Sequence, residues 1–74
     1  HGPTWAVPLE GIGQVVALRG TATATGPSGE RRLAVKSPLY RSDTIRTSAR
    51  GRMQMLFADN TIISLGRDSV MVLA

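Results

Sequence analysis

Arg52-Met53-Gln54-Met55-Leu56-Phe57-Ala58-Asp59-Asn60-Thr61-Ile62-Ile63-Ser64-Leu65 is the stretch whose reading decides the fold. From Arg52 to Phe57 large apolar residues recur at every second position. An extended backbone sends alternate side chains to opposite faces, so Met53, Met55 and Phe57 share one face and form the first piece of a predicted core. The run then breaks at Ala58-Asp59-Asn60-Thr61 before Ile62-Ile63-Ser64-Leu65 resumes it. An Asp-Asn pair between two β-rich runs predicts a tight hairpin whose central residues accept positive φ, with Asp59 and Asn60 forming the turn. If the turn is two residues long, Phe57 faces Ile62; the face shared by Ile63 and Leu65 satisfies the apolar pattern equally, and both pairings stay open at this level.

Working outward, the same alternation with turn residues recurs at intervals of about ten residues. Thr44-Ile45-Arg46-Thr47 places Ile45 inside and Thr44 and Arg46 outside, after a turn at Ser42-Asp43. Pro38 has no N–H to donate, which keeps Pro38-Leu39-Tyr40 out of a central ladder position. Glu30 to Val35 reads as extended with Leu33 and Val35 pointing the same way, joined across Gly26-Pro27-Ser28-Gly29 to Thr21-Ala22-Thr23-Ala24-Thr25, whose threonines share a face. Gln14 to Leu18 precedes it, and Arg19-Gly20 divides the two into separate strands or bends one long strand. Gly66-Arg67-Asp68-Ser69 makes a last turn into Val70-Met71-Val72-Leu73, apolar on both faces and so expected to be covered on both sides or continued beyond this sequence. Residues 1–12, with Pro3 and Pro8, read as an extended lead-in from which Trp5 and Val7 fold back over the core. The expectation is an all-β fold: a small sandwich or jelly-roll-like, partly open barrel of seven or eight short, mainly antiparallel strands over residues 13–74.

The chain has 74 residues, enough for one domain. It has no cysteine, so packing and strand pairing alone must hold the fold. No segment is apolar for long enough to cross a membrane as a helix, and direct membrane insertion is not expected. The sequence starts without Met and stops in mid-pattern, and is read as a mature chain or part of a longer one. Catalysis is not expected: the single histidine is His1, and no second base stands ready to activate a serine. No cofactor or metal is expected either. Asp43, Asp59 and Asp68 offer three oxygen donors for calcium only if their turns meet at one end, and their spacing follows no calcium-loop pattern.

Nine Lys and Arg against five Asp and Glu give a net charge of +4, with Arg31, Arg32, Lys36, Arg41, Arg46, Arg50 and Arg52 crowding the middle of the chain. Solvated side chains on outward faces account for most of such a surplus. The alternative is an acidic partner. Tyr40, Arg41, Arg46, Arg50 and Arg52 combine a flat ring with bidentate donors and are the candidate binding residues for a glycan or other polyanion. Nucleic acid is a weaker candidate, because base stacking needs aromatics on the binding strands and Phe57 is better used in the core.

Four pieces in order, Pro38-Leu39-Tyr40, Asp43-Thr44-Ile45-Arg46-Thr47, Phe57-Ala58-Asp59-Asn60-Thr61 and Leu65-Gly66, resemble the FecR domain family, in a match running from Gly13 to Leu73. Three departures stand out: Lys36, Ser42 and Asn60 occupy positions where that family's pattern has Gly. Asn is the next best residue for a left-handed position, so the hairpin at Asn60 is expected to persist, whereas the turn at Ser42 is expected to differ locally. The resemblance implies an extracytoplasmic, non-enzymatic β domain of a bacterial envelope protein, periplasmic or at the cell surface. It would serve as an interaction or signal-receiving module with a protein partner in the envelope, engaged by strand addition or through the Val70 to Leu73 surface. Asp43, Asp59, Asn60 and Gly66 are read as turn-forming, the two carboxylates accepting backbone N–H bonds.

Overall fold

In the computed structural model, which describes residues 11–27 and 29–73, the alternating apolar runs become eight strands and the described residues contain no helix. They are β1 (Gly11–Arg19), β2 (Ala22–Gly26), β3 (Gly29–Arg32), β4 (Pro38–Tyr40), β5 (Thr44–Thr47), β6 (Arg52–Phe57), β7 (Ile62–Leu65) and β8 (Val70–Val72). They form two four-stranded antiparallel sheets, ordered β4-β1-β6-β7 and β3-β2-β5-β8, which do not close into a barrel. The sandwich of the two expected forms is therefore the one adopted. The lead-in expectation for Trp5 and Val7 lies outside the described residues; β1 itself begins at Gly11, which pairs with Tyr40.

Only β2–β3 and β6–β7 are hairpins within one sheet, and every other connection passes from one sheet to the other. The first crossing is at Gly20, whose φ of 69° turns the chain between β1 and β2, so the interruption at Arg19-Gly20 separates two strands. Each inner face supplies alternate residues to one core: Val15, Leu39, Met53 and Met55 from the first sheet, Ala22, Ala24 and Ile45 from the second, with Leu33 and Leu73 closing it. Phe57, Ile63, Leu65, Ile12, Leu18 and Met71 pack around this centre. A bulge between Val15 and Ala17 lets Val15 oppose Met55 and Leu18 oppose Met53. One extra residue in β1 thus keeps two apolar side chains inward at a spacing of three.

One pairing left open by the sequence is decided and two local expectations are corrected. The β6–β7 connection is longer than two residues: Phe57 N donates to Thr61 O and Asn60 N to Phe57 O, leaving Ala58, Asp59 and Asn60 in the loop with Asn60 left-handed at φ 68°. Leu56 consequently opposes Ile62 on the outside, and Ile63 and Leu65 turn inward. Val35 does not follow Leu33 into the core but is 52% exposed. The strand has ended at Arg32, and a turn closed by Ser37 N to Ala34 O, with Lys36 at φ 77°, reverses the chain there. The turn at Ser42 keeps the left-handed backbone, at φ 71°.

Lys36, Ser42 and Asn60, the three positions where Gly was expected by resemblance, are thus all left-handed. An L-residue in that region costs about 1–2 kcal/mol, while Gly gives up about 0.4–1 kcal/mol through the freer unfolded chain. Lys36 is exposed, so Lys36→Gly is expected to stabilise the domain by about 0.5–1 kcal/mol on that balance. A rise in the urea midpoint at unchanged slope is the expected reading, and a fall would show that the Lys36 turn carries no strain.

Candidate polyanion-binding surface

The two ends of the sandwich differ in chemistry. At one end, the β2–β3 hairpin and the β4–β5 turn meet around Asp43, which is 1% exposed. Its Oδ2 accepts from Tyr40 N at 2.9 Å and from Arg31 at 2.8 Å, and its Oδ1 accepts a second Arg31 bond at 3.3 Å. The Arg31 guanidinium also lies 5.1 Å from the Tyr40 ring centroid and donates to Pro38 O. Burial works against charge on Asp43; the Arg31 hydrogen bonds, the Tyr40 N–H and the Arg31 charge outweigh it and hold the carboxyl below its usual range. The same bond to Asp43 holds Arg31 above its ordinary value. Gly26 is required here, since a Cβ would stand 2.7 Å from Asp43 Oδ1.

Asp59 is exposed in its loop and accepts from Thr61 N at 3.0 Å, and its hydrogen bonds from Thr61 lower its pKa. Asp68 belongs to the turn between β7 and β8, at the other end of the sandwich. The three aspartates therefore do not converge, and no group of metal-ligating side chains occurs among the described residues. Gly66 precedes that turn, but its left-handed residue is Asp68, at φ 50°.

The second end gathers the connections β1–β2, β5–β6 and β7–β8. Backbone packing assembles it. Ser48 N donates to Thr21 O, and Ser48 O accepts from Gly51 N and Asp68 N. The buried Thr47 hydroxyl bonds to Gly66 O and accepts from Ser69 N at 2.9 Å, which ties the 66–69 connection to β5. These bonds bring Arg19, Arg50, Arg52 and Arg67 to one end, all four exposed. Arg50, Arg52 and Arg67 line a groove of ≈ 550 Å³ with Ala49 and Gly66, and Arg19 and Arg52 line an adjoining one of ≈ 570 Å³ with Gln54 and Ser64.

The five candidate binding residues are thus divided. Arg50 and Arg52 stand together at this end, Arg46 is on the outer face of the second sheet opposite Thr23 and Val70, and Tyr40 and Arg41 lie at the Asp43 end. Arg19 and Arg67, distant in sequence from the basic run, are the additions made by topology. β8 carries Met71 inward and Leu73 follows it into the core, while Val70 and Val72 are exposed on an edge strand paired only with β5.

No family model matches the chain, and no curated protein matches it. A solved structure described as "Cell surface anchoring domain" has the same fold, with a TM-score of 0.81, 29% sequence identity, and 86% of each chain covered.

Proposed function

We propose that this domain is a non-catalytic, extracytoplasmic, FecR-like interaction module of a bacterial envelope protein, and that it helps hold its parent chain at the cell surface. The likeness to a cell surface anchoring domain carries the reading, because it spans 86% of both chains at 29% identity. The left-handed backbone at Lys36, Ser42 and Asn60, the three positions at which the FecR pattern has Gly, supports the family resemblance. An envelope protein is the leading partner. β8 offers it an edge strand whose outward Val70 and Val72 are apolar, a surface suited to strand addition.

The reading is tested by placing the domain behind a secretion signal, fused to a reporter enzyme, in the parent organism. Retention of the reporter with the envelope fraction is expected, where the reporter alone is released to the medium or periplasm. Equal release of both would overturn it. A charged pair on the β8 edge, Val70→Lys with Val72→Lys, is expected to reduce retention without unfolding the domain, since both side chains point to solvent.

A further inference from the structure

Arg19 and Arg52 are directly opposite each other on neighbouring strands. Both point outward, since Leu18 and Met53, the adjacent pair, face the core. Directly opposed side chains have Cβ atoms about 4.5–5.5 Å apart, and like charges so placed destabilise a sheet. Among the described residues the one ion pair is Arg31 with Asp43, at the far end, so no described carboxylate relieves this contact. Asp68, the acidic residue in the nearby connection, makes no ion pair there. At two exposed positions any polar residue would avoid the repulsion. A local arrangement that works against stability without a structural gain is the mark of a functional site.

We propose that this end of the sandwich binds an acidic polysaccharide, with Arg19, Arg50, Arg52 and Arg67 on its anionic groups and Gln54 and Ser64 on neutral hydroxyls. Arg52 lines both adjoining grooves, which makes the four guanidiniums one continuous surface and suits a polymer with repeated charges over a single small anion. Guanidinium forks bind carboxylate, sulfate and phosphate groups bidentately. Gln54 Nε2 lies 3.3 Å from Ser64 Oγ beside the arginines, a pair able to exchange that bond for sugar hydroxyls. Single-stranded nucleic acid is the poorer fit, because the described aromatics, Tyr40 and Phe57, are both at the other end and no stacking platform adjoins the arginines. The proposal rests on the surface-module reading for where the polymer is met. Its test uses the purified domain, so its failure leaves the retention experiment untouched.

Polygalacturonate is the probe, with neutral dextran, a short single-stranded DNA and phosphatidylglycerol vesicles for comparison, at roughly physiological ionic strength where unpaired long-range attraction is screened. Binding of polygalacturonate is expected to weaken roughly tenfold or more in the Arg19→Gln and Arg52→Gln variants, as the loss of one charge-assisted pair implies, and to be unchanged in Arg41→Gln. Each of the first two variants should also melt higher than the parent without polymer, and lose the rise in melting temperature that polymer gives the parent. Equal weakening in Arg41→Gln, unchanged binding in Arg19→Gln and Arg52→Gln, equal affinity for dextran, or tighter binding of DNA or vesicles than of polygalacturonate would overturn the proposal. So would a lower melting temperature in both variants without polymer, since the opposed arginines would then be a stabilising feature of the sheet.

Discussion

Asp43→Ala is expected to remove about 3 kcal/mol of stability, since it deletes the one carboxylate that accepts from Arg31 and Tyr40 N; a hydrogen bond to a charged group contributes about 1.5–3 kcal/mol net, and bonds that share a carboxylate do not add in full. Arg31 remains 35% exposed, so its unpaired charge can turn to solvent, and the loss stays below that of breaking a wholly buried pair. A domain this small sits near the lower end of the usual range of about 5–15 kcal/mol. The variant should therefore still fold but keep only about 2 kcal/mol, and its urea midpoint should fall by more than half. Asp43→Asn keeps the shape and an acceptor for Tyr40 N but gives up the charge, and is expected to be intermediate.

The pH dependence follows from the lowered carboxyl pKa. The unfolded carboxyl titrates near 3.9, and the folded one lies lower because Arg31 and the Tyr40 N–H outweigh the effect of burial. A depressed folded pKa adds stability that is fully present above the unfolded value and is lost as pH falls through the folded value. The parent's resistance to urea should thus fall as the pH drops below the unfolded carboxyl's range, and the Asp43→Asn variant should show a shallower fall. Equal midpoints for parent and Asn variant at neutral pH, with equal acid slopes, would remove Asp43 from the centre of the fold.

Gly20→Ala is expected to cost about 2–4 kcal/mol, combining the left-handed penalty of about 1–2 with the overpacking of a close backbone contact. Gly20 has φ 69°, and a Cβ there would stand 2.5 Å from Arg50 O and 3.0 Å from Gly51 Cα. Gly51 meets the same limit from the other side, its Cβ position being 2.6 Å from Thr21 O and 2.8 Å from Ser48 N. Neither neighbour is a flexible side chain that could swing away. Gly66 is the matched comparison: nothing lies within 4 Å of its Cβ position, so Gly66→Ala should fall within about 0.5 kcal/mol of the parent. If Gly20→Ala were as stable as Gly66→Ala, the backbone contact that sets the arginine end would be looser than described.

What could be read from the sequence was what alternation controls. Met53 and Met55 are buried where a period of two puts them, and Ile45 likewise, because each strand is long enough for its pattern to outweigh local noise. The limits appear where a turn sets the register. Asp59-Asn60 signals a turn but does not count its residues, and one added loop residue moved the partner of Ile62 from Phe57 to Leu56 and chose Ile63 and Leu65 for the inside. Val35 continues an alternation that the backbone has already abandoned after Arg32.

Long-range assembly was less visible still. Asp43 reads as a local turn residue, and it does accept from Tyr40 N, but Arg31, twelve residues earlier, is distinguished from its neighbours Arg32 and Lys36 only by the folding of the β2–β3 hairpin over the β4–β5 turn. Arg50 and Arg52 stand out in a basic run. Arg19 joins them through pairing of β1 with β6, and Arg67 through the hydroxyl of Thr47, a residue whose short polar side chain gives no sign in sequence of being buried. The basic run itself is split by the sandwich, since successive connections lead to opposite ends.

The central claim is that the domain works outside the cytoplasm as part of the cell envelope. Its most direct test is labelling of the parent protein in its own host with an antibody raised against residues 11–73, on intact cells, on cells with a permeabilised outer layer, and on lysed cells. Labelling on intact cells, or once the outer layer alone is opened, is the expected result. Labelling that requires lysis of the cytoplasmic membrane would place the domain in the cytoplasm and contradict the account.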